Sequence, residues 1–144
     1  MPESFRLDKP QRKRLLQAIR DFEKTTSAEL KVVVAKNAKS EAMDYAKREF
    51  LRLGLAKTQL RNAILICVLP KQRKIVVLGD EGIHQALPQG SWERVVELIV
   101  AEFREGRFDV GLGKAIQEVA DLMAQYFPYH SDDVNEVSDE IVER

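Results

Sequence analysis

Between Leu60 and Pro88 the chain reads LRNAILICVLPKQRKIVVLGDEGIHQALP, two apolar runs flanking a basic turn, the second running into Gly79-Asp80-Glu81-Gly82. Runs of this length joined by a short polar stretch form a β-hairpin, which returns its far end to its near end. With the turn at Pro70 to Gln72, pairing brings Asn62 opposite Asp80, give or take one register step. Arg61, Asn62, Asp80 and Glu81 are therefore expected together on one edge of a sheet.

The rest of the chain supplies the partners such a hairpin needs. From Pro10 to about Lys24, Leu15, Leu16, Ile19 and Phe22 recur at helical spacing behind Asp8 and Pro10. The β-branched run Glu29 to Ala35 reads as a first strand. Ser40 is placed to cap a second helix whose stripe is Ala42, Tyr45, Ala46, Phe50 and Leu53, with the charged Glu49 among them and Gly54 as its stop. After Pro88-Gln89-Gly90-Ser91, a third helix carries Trp92, Val95, Val96, Ile99 and Phe103 to a stop at Gly106. A fourth runs from about Val110 to Tyr126, with Pro128 beyond it. The order α β α β β α α favours a small mixed sheet: a right-handed parallel unit joins the first two strands, the third returns antiparallel, and helices cover the faces. A core domain over residues 1–128 and an acidic, flexible tail over 129–144 are expected.

Charge and cysteine content narrow the function classes. The 23 basic and 23 acidic residues cancel, so no global field draws in nucleic acid, and none is expected as a partner. No apolar run approaches a membrane span, and the N-terminus lacks a signal-peptide core, so a cytoplasmic location is expected. The single Cys67 sits among aliphatic residues and reads as packed and inert. There is no P-loop, G-x-G-x-x-G, G-x-S-x-G, H-E-x-x-H or Cys pair, which removes the common nucleotide, serine-hydrolase and zinc classes.

The chemistry that remains lies at the hairpin edge. Parallel first and second strands share their N-terminal ends, so Glu29 joins Asn62, Asp80 and Glu81. Convergent hard oxygens of this kind suit Ca²⁺, or Mg²⁺ with more retained water. Two other readings stand beside this one: Arg61 neutralising Asp80 or Glu81 as an ion pair, and Asp-Glu-Gly serving as turn chemistry. Thr58 either caps a turn or lends a hydroxyl to the edge. His84, four residues past Asp80, is a ligand or acid candidate, although a lone loop histidine is more often idle. Trp92 belongs to a core stripe before it belongs to a pocket mouth.

The segments Thr26-Ser27-Ala28-Glu29-Leu30-Lys31-Val32-Val33-Val34, Thr58-Gln59-Leu60-Arg61-Asn62-Ala63-Ile64-Leu65-Ile66, Gly79-Asp80-Glu81-Gly82-Ile83, Trp92 and Phe103-Arg104-Glu105-Gly106-Arg107-Phe108 with Gly111-Leu112 together resemble a TPM domain over about Phe5 to Phe127. That family is named for a thylakoid lumen acid phosphatase, a photosystem II repair protein and a modulator of levamisole receptors. The resemblance implies an α/β/α sandwich around a mixed sheet, binding of divalent cations, chiefly Ca²⁺, and acid phosphatase activity in some members. Its T-x-x-R-N pattern falls on Thr58, Arg61 and Asn62, its G-D-x-G-I loop on Gly79, Asp80, Gly82 and Ile83, and its first acidic residue on Glu29. The usual glycine after Asn62 is here Ala63. Asn135 to Ile141 looks like the N-E-L-P-D-E-I ending of cytoplasmic members, with Ser138 in place of proline, whereas many relatives carry a signal peptide and membrane anchor.

Two functions follow as expectations. One is a Ca²⁺-binding regulatory or interaction module with a protein partner, its metal held by Glu29, Asn62, Asp80 and Glu81, with Thr58, Gly82 and His84 nearby. The other is a cation-dependent acid phosphatase using Asp80, Arg61 and Glu81.

Overall fold

A computed structural model describes residues 8–105, 108–129 and 141–144. Four strands, β1 (Glu29–Val34), β2 (Ala63–Leu69), β3 (Lys74–Gly79) and β4 (Val142–Glu143), form one sheet in the order β3-β2-β1-β4. β1 runs parallel to β2 and β4, and β3 is antiparallel to β2. Every residue of β1 and β2 is buried, which explains their nearly unbroken apolar runs. Alternate side chains enter two cores. Leu30, Val32, Val34, Ile64, Ile66 and Val68 pack with α1 (Lys9–Thr25), α4 (Ser91–Arg104) and α5 (Phe108–Tyr126). Val33, Ala35, Ala63, Leu65, Cys67 and Leu69 pack under α2 (Ala42–Arg52) and the 3-10 turn Leu55–Lys57. The result is the expected three-layer α/β/α sandwich around a mixed sheet.

Helix ends follow local chemistry. Asp8 and Gln11 form a reciprocal capping box at the start of α1, with Pro10 in its first turn. The cap of α2 is Glu41, which accepts from the Asp44 amide, and not Ser40, whose hydroxyl instead accepts from Arg48. Glu41 reaches the same free amides as a shorter cap, and those bonds hold its carboxyl below the usual range. Gly54, at φ 73, ends α2 in the left-handed region. The stop expected at Gly106 lies outside the described residues.

The hairpin is shifted one register step from the sequence expectation. Its turn comprises the 3-10 segment Pro70–Gln72 and also Arg73, left-handed at φ 53, so Leu69 pairs with Lys74 and Ile64 with Gly79. Asp80 consequently meets Ala63, donating its amide to the Ala63 carbonyl, and Asn62 lies one residue further out.

Two elements were not expected. Residues Glu81–Ala86, read as loop, form the short helix α3 because Asp80 caps it. The last residues, assigned to a free tail, return to the sheet: Val142 and Glu143 pair with Val33 and Val34, and Ile141 is buried in the larger core. The acidic stretch 130–140 lies outside the described residues.

Cys67 is fully buried, and desolvation pushes its thiol from 9.0 up to about 12. Burial also raises the Tyr45 phenol from 10.0 to about 12, reinforced by the Glu49 carboxylate. Between pH 9 and 12 the folded chain thus keeps protons that the unfolded chain has released. Stability is therefore flat in these two groups below pH 9 and falls as pH rises above it, by at most about 1.4 kcal/mol per pH unit for the buried Cys67 and by less for Tyr45, whose partial exposure screens the shift. Urea midpoints measured from pH 8 to 10.5 should decline from pH 9 upward, and Cys67→Ala should flatten the first part of that decline. A native thiol that reacts with an aromatic disulfide reagent as fast as the unfolded chain would contradict this burial.

Candidate functional site at the hairpin edge

The N-terminal ends of β1 and β2 and the C-terminal end of β3 lie side by side. Glu29 pairs with Ala63 from one side and Asp80 bonds to Ala63 from the other. Two strand spacings separate Glu29 and Asp80, about 9.5 Å between backbones. Residues level across a sheet project to the same face, and the alternation of Val33, Ala63 and Leu78 identifies it as the α2 side. The side chain between the two carboxylates is the small methyl of Ala63. Glu29 is 3 % exposed and Asp80 7 %, so both acids are largely withdrawn from water.

Arg61 organises the outer half of this edge. Its backbone is left-handed at φ 51, and its amide closes a turn onto the Thr58 carbonyl at 3.2 Å. Its guanidinium grips Asp80 with two bonds, Nε to Oδ2 at 2.6 Å and Nη2 to Oδ1 at 2.9 Å, while Nη1 reaches Glu81 Oε1 at 3.1 Å. The hydrogen bond to Asp80 raises the guanidinium pKa still further, so Arg61 is always charged. Asp80 Oδ1 also accepts from the Glu81 amide at 2.8 Å, capping α3. Of the competing readings, the ion pair and the turn role of Asp80 are both present. Glu81 itself stays exposed.

Gly82 lies against this turn. Its amide donates to the Arg61 carbonyl at 2.8 Å, and a Cβ at this position would stand 2.2 Å from the Leu60 carbonyl oxygen. Only glycine permits that approach. His84 is exposed on α3 and meets Trp92 edge-on, ring centroids 6.2 Å apart. Trp92 is a core residue, with Gly79 packed against its indole.

The inner half of the edge holds polar groups with unmet demand. Thr58 and Asn62 are 4 % and 1 % exposed, yet Thr58 Oγ1 and Asn62 Nδ2 have no hydrogen-bond partner among the described residues. A buried polar atom left without a partner costs roughly 1–3 kcal/mol. The two amide atoms of an asparagine exchange places on a flip, so the open position of Asn62 can equally present its oxygen. The oxygens near this edge are those of the Glu29 carboxylate, the Thr58 hydroxyl and the Asn62 amide, besides Asp80, which Arg61 holds. Among the described residues no three His, Cys, Asp or Glu side chains gather into a metal-holding cluster. A hard cation at this edge would have to draw on one carboxylate, neutral oxygens and water.

Two buried charges escaped the sequence reading: Lys31 and Glu49. Lys31 and Glu49 are each 3 % exposed. Glu49 bonds Arg144 Nη2 at 3.3 Å and Arg52 Nη1 at 3.4 Å, and accepts from the Tyr45 hydroxyl. The signal was present, since Glu49 interrupts an apolar helical stripe and Lys31 stands two residues from Glu29 on the same strand face.

Comparison with known proteins bears on the fold and the family. The chain is similar to BA42 from the psychrophilic bacterium Bizionia argentinensis, solved by NMR, with 31% identity over 98% of this chain and 97% of that one and a TM-score of 0.90. The N-terminal domain of a P. gingivalis protein is similar at 18% identity, covering 86% of this chain and 82% of its own, with a TM-score of 0.68. The N-terminal domain of the cg2496 protein of Corynebacterium glutamicum matches at 11% identity over 96% and 82%, with a TM-score of 0.56. These last two show the fold alone. No curated protein sequence matches the chain. The model of the TPM domain matches residues 5–122, and on that span, most of its length, the chain belongs to the TPM domain family.

Proposed function

We propose that the hairpin edge binds a divalent cation, Ca²⁺ in preference to Mg²⁺, and that the domain acts as a regulatory or interaction module with a protein partner in the cytoplasm. The observation that carries this reading is the pair of buried polar atoms without partners, Thr58 Oγ1 and Asn62 Nδ2, at the sheet edge that also buries Glu29 and Asp80. A cation there would take the Thr58 oxygen and, with the Asn62 amide flipped, its oxygen as well. The larger Ca²⁺ accepts irregular mixed sets, whereas Mg²⁺ demands a nearer-octahedral one. Among the described residues no helix is long and apolar enough to cross a membrane.

Binding to the folded state alone raises stability by mass action, about 2.7 kcal/mol at a hundredfold excess over the dissociation constant. Millimolar Ca²⁺ should therefore raise the melting temperature, and Asn62→Ala or Glu29→Gln should remove most of that rise. A melting temperature indifferent to both Ca²⁺ and Mg²⁺ would end the proposal.

The second reading is a cation-dependent acid phosphatase at the same edge, favoured by a guanidinium beside two carboxylates. Arg61 would hold phosphoryl oxygens and Asp80 or Glu81 would orient water or attack. It ranks second because Asp80 and Glu81 already engage Arg61. Turnover of a phosphomonoester that survives Asp80→Asn would discard it.

A further inference from the structure

At the other end of β3 no described strand pairs with the sheet edge. β3 is the outermost strand, and its exposure contrasts with that of β2: Lys74 is exposed and Ile75 half-buried, whereas all of β2 is buried. The bond from the Asp80 amide to the Ala63 carbonyl sets the phase of the antiparallel ladder. By alternation Lys74, Val76 and Leu78 turn their backbone groups toward β2, and Ile75 and Val77 turn theirs outward. An unpaired row of this kind is a template for another strand.

A groove of about 260 Å³ adjoins this stretch, between the start of β3 and the end of α4. Its floor is Ile75, Val100 and Phe103, and its rim is Arg73, Lys74 and Arg104. Three cations and, among the described residues, no carboxylate line it, in a chain whose charges cancel overall. The groove therefore combines outward backbone groups, an apolar seat and a one-signed rim.

We infer that this groove receives an extended acidic segment of a partner protein, which adds as a fifth strand beside β3. Its backbone pairs with Ile75 and Val77, one apolar side chain fills the seat between Val100 and Phe103, and flanking Asp or Glu residues meet Arg73, Lys74 and Arg104. Main-chain bonds then supply affinity, and the seat and the rim supply selectivity. This surface lies at the opposite end of β3 from the hairpin edge, so the inference is independent of cation binding.

The test uses the full chain and two labelled ten-residue peptides, one alternating Val with Glu and Asp and the other alternating Val with Lys. Fluorescence anisotropy should show the acidic peptide binding at least tenfold more tightly than the basic one, with affinity falling as salt rises. Backbone amide shifts should centre on Ile75, Val77, Val100 and Arg104. The double charge reversal Lys74→Glu with Arg104→Glu, on surface positions, should reduce binding at least tenfold while the melting temperature stays near that of the parent. Ile75→Pro removes the outward donor, a change edge strands tolerate, and should weaken binding with the rim intact. If that variant unfolds, the charge reversal alone decides. Equal binding of the two peptides, shifts centred at Thr58 to His84, or no binding at millimolar peptide would overturn the inference, the last leaving the cations as guards against strand pairing. Tighter binding of a single-stranded oligonucleotide in the same groove would overturn it too.

Discussion

Gly82→Ala is expected to destabilise the protein by about 3 kcal/mol or more, the upper range for a substitution that overfills a packed position. The added methyl would lie 2.2 Å from the Leu60 carbonyl oxygen, 2.6 Å from that of Arg61 and 2.9 Å from the Arg61 carbonyl carbon. All three are backbone atoms, which cannot swing aside as a side-chain tip does. Relief requires the 58–61 turn to retreat, and that retreat would break the Gly82 amide bond to Arg61 and pull the guanidinium from Asp80. A loss of roughly 10 °C in melting temperature follows for a domain of this size. Asn62 sits on the displaced turn, so any response to Ca²⁺ should disappear with it. Gly113→Ala is the matched control, because a Cβ there meets nothing within 4 Å and alanine favours the helix by about 1 kcal/mol. If the two variants melt alike, the close packing of α3 on the turn is wrong.

Removing residues 141–144 should cost about 3–5 kcal/mol, seen as a lower urea midpoint. The deletion takes Ile141 out of the larger core and removes the strand pairing of Val142 and Glu143 with β1. It also removes the bonds between the Arg144 amide and the Val34 carbonyl and between the Lys36 amide and the Arg144 carbonyl. Two ion pairs go as well, Glu143 with Arg12 at 2.8 Å and Arg144 with Glu49 at 3.3 Å. Glu49 is then left buried with only the exposed Arg52 and the Tyr45 hydroxyl. Arg144→Ala alone should show the smaller share due to that pair. A truncated chain as stable as the full one would mean that β4 contributes nothing to the fold.

Most of the architecture was legible because it rests on local periodicity. The stripes of α1, α2 and α4 and the continuous runs of β1 and β2 each announce their own burial, and glycine and proline mark the breaks. β4 was not legible, since two residues at the end of an acidic stretch carry no period and become a strand only because β1 leaves an edge beside them. α3 was missed for a related reason: six residues are too few to show a helical stripe, and Asp80 is a cap only once the hairpin has brought it level with Ala63.

The amino-acid sequence by itself determined which residues meet at the hairpin edge. Strand order and a single turn are enough to bring Glu29, Arg61, Asn62 and Asp80 to one end of the sheet. Only the tertiary structure decided how they divide. The left-handed Arg73 lengthens the turn by one residue, and in a ladder with a two-residue period that step exchanges faces, pairing Asp80 with Ala63 rather than Asn62. Arg61 then takes Asp80, and Thr58 and Asn62 are left as buried groups whose unmet bonds depend on packing from every side.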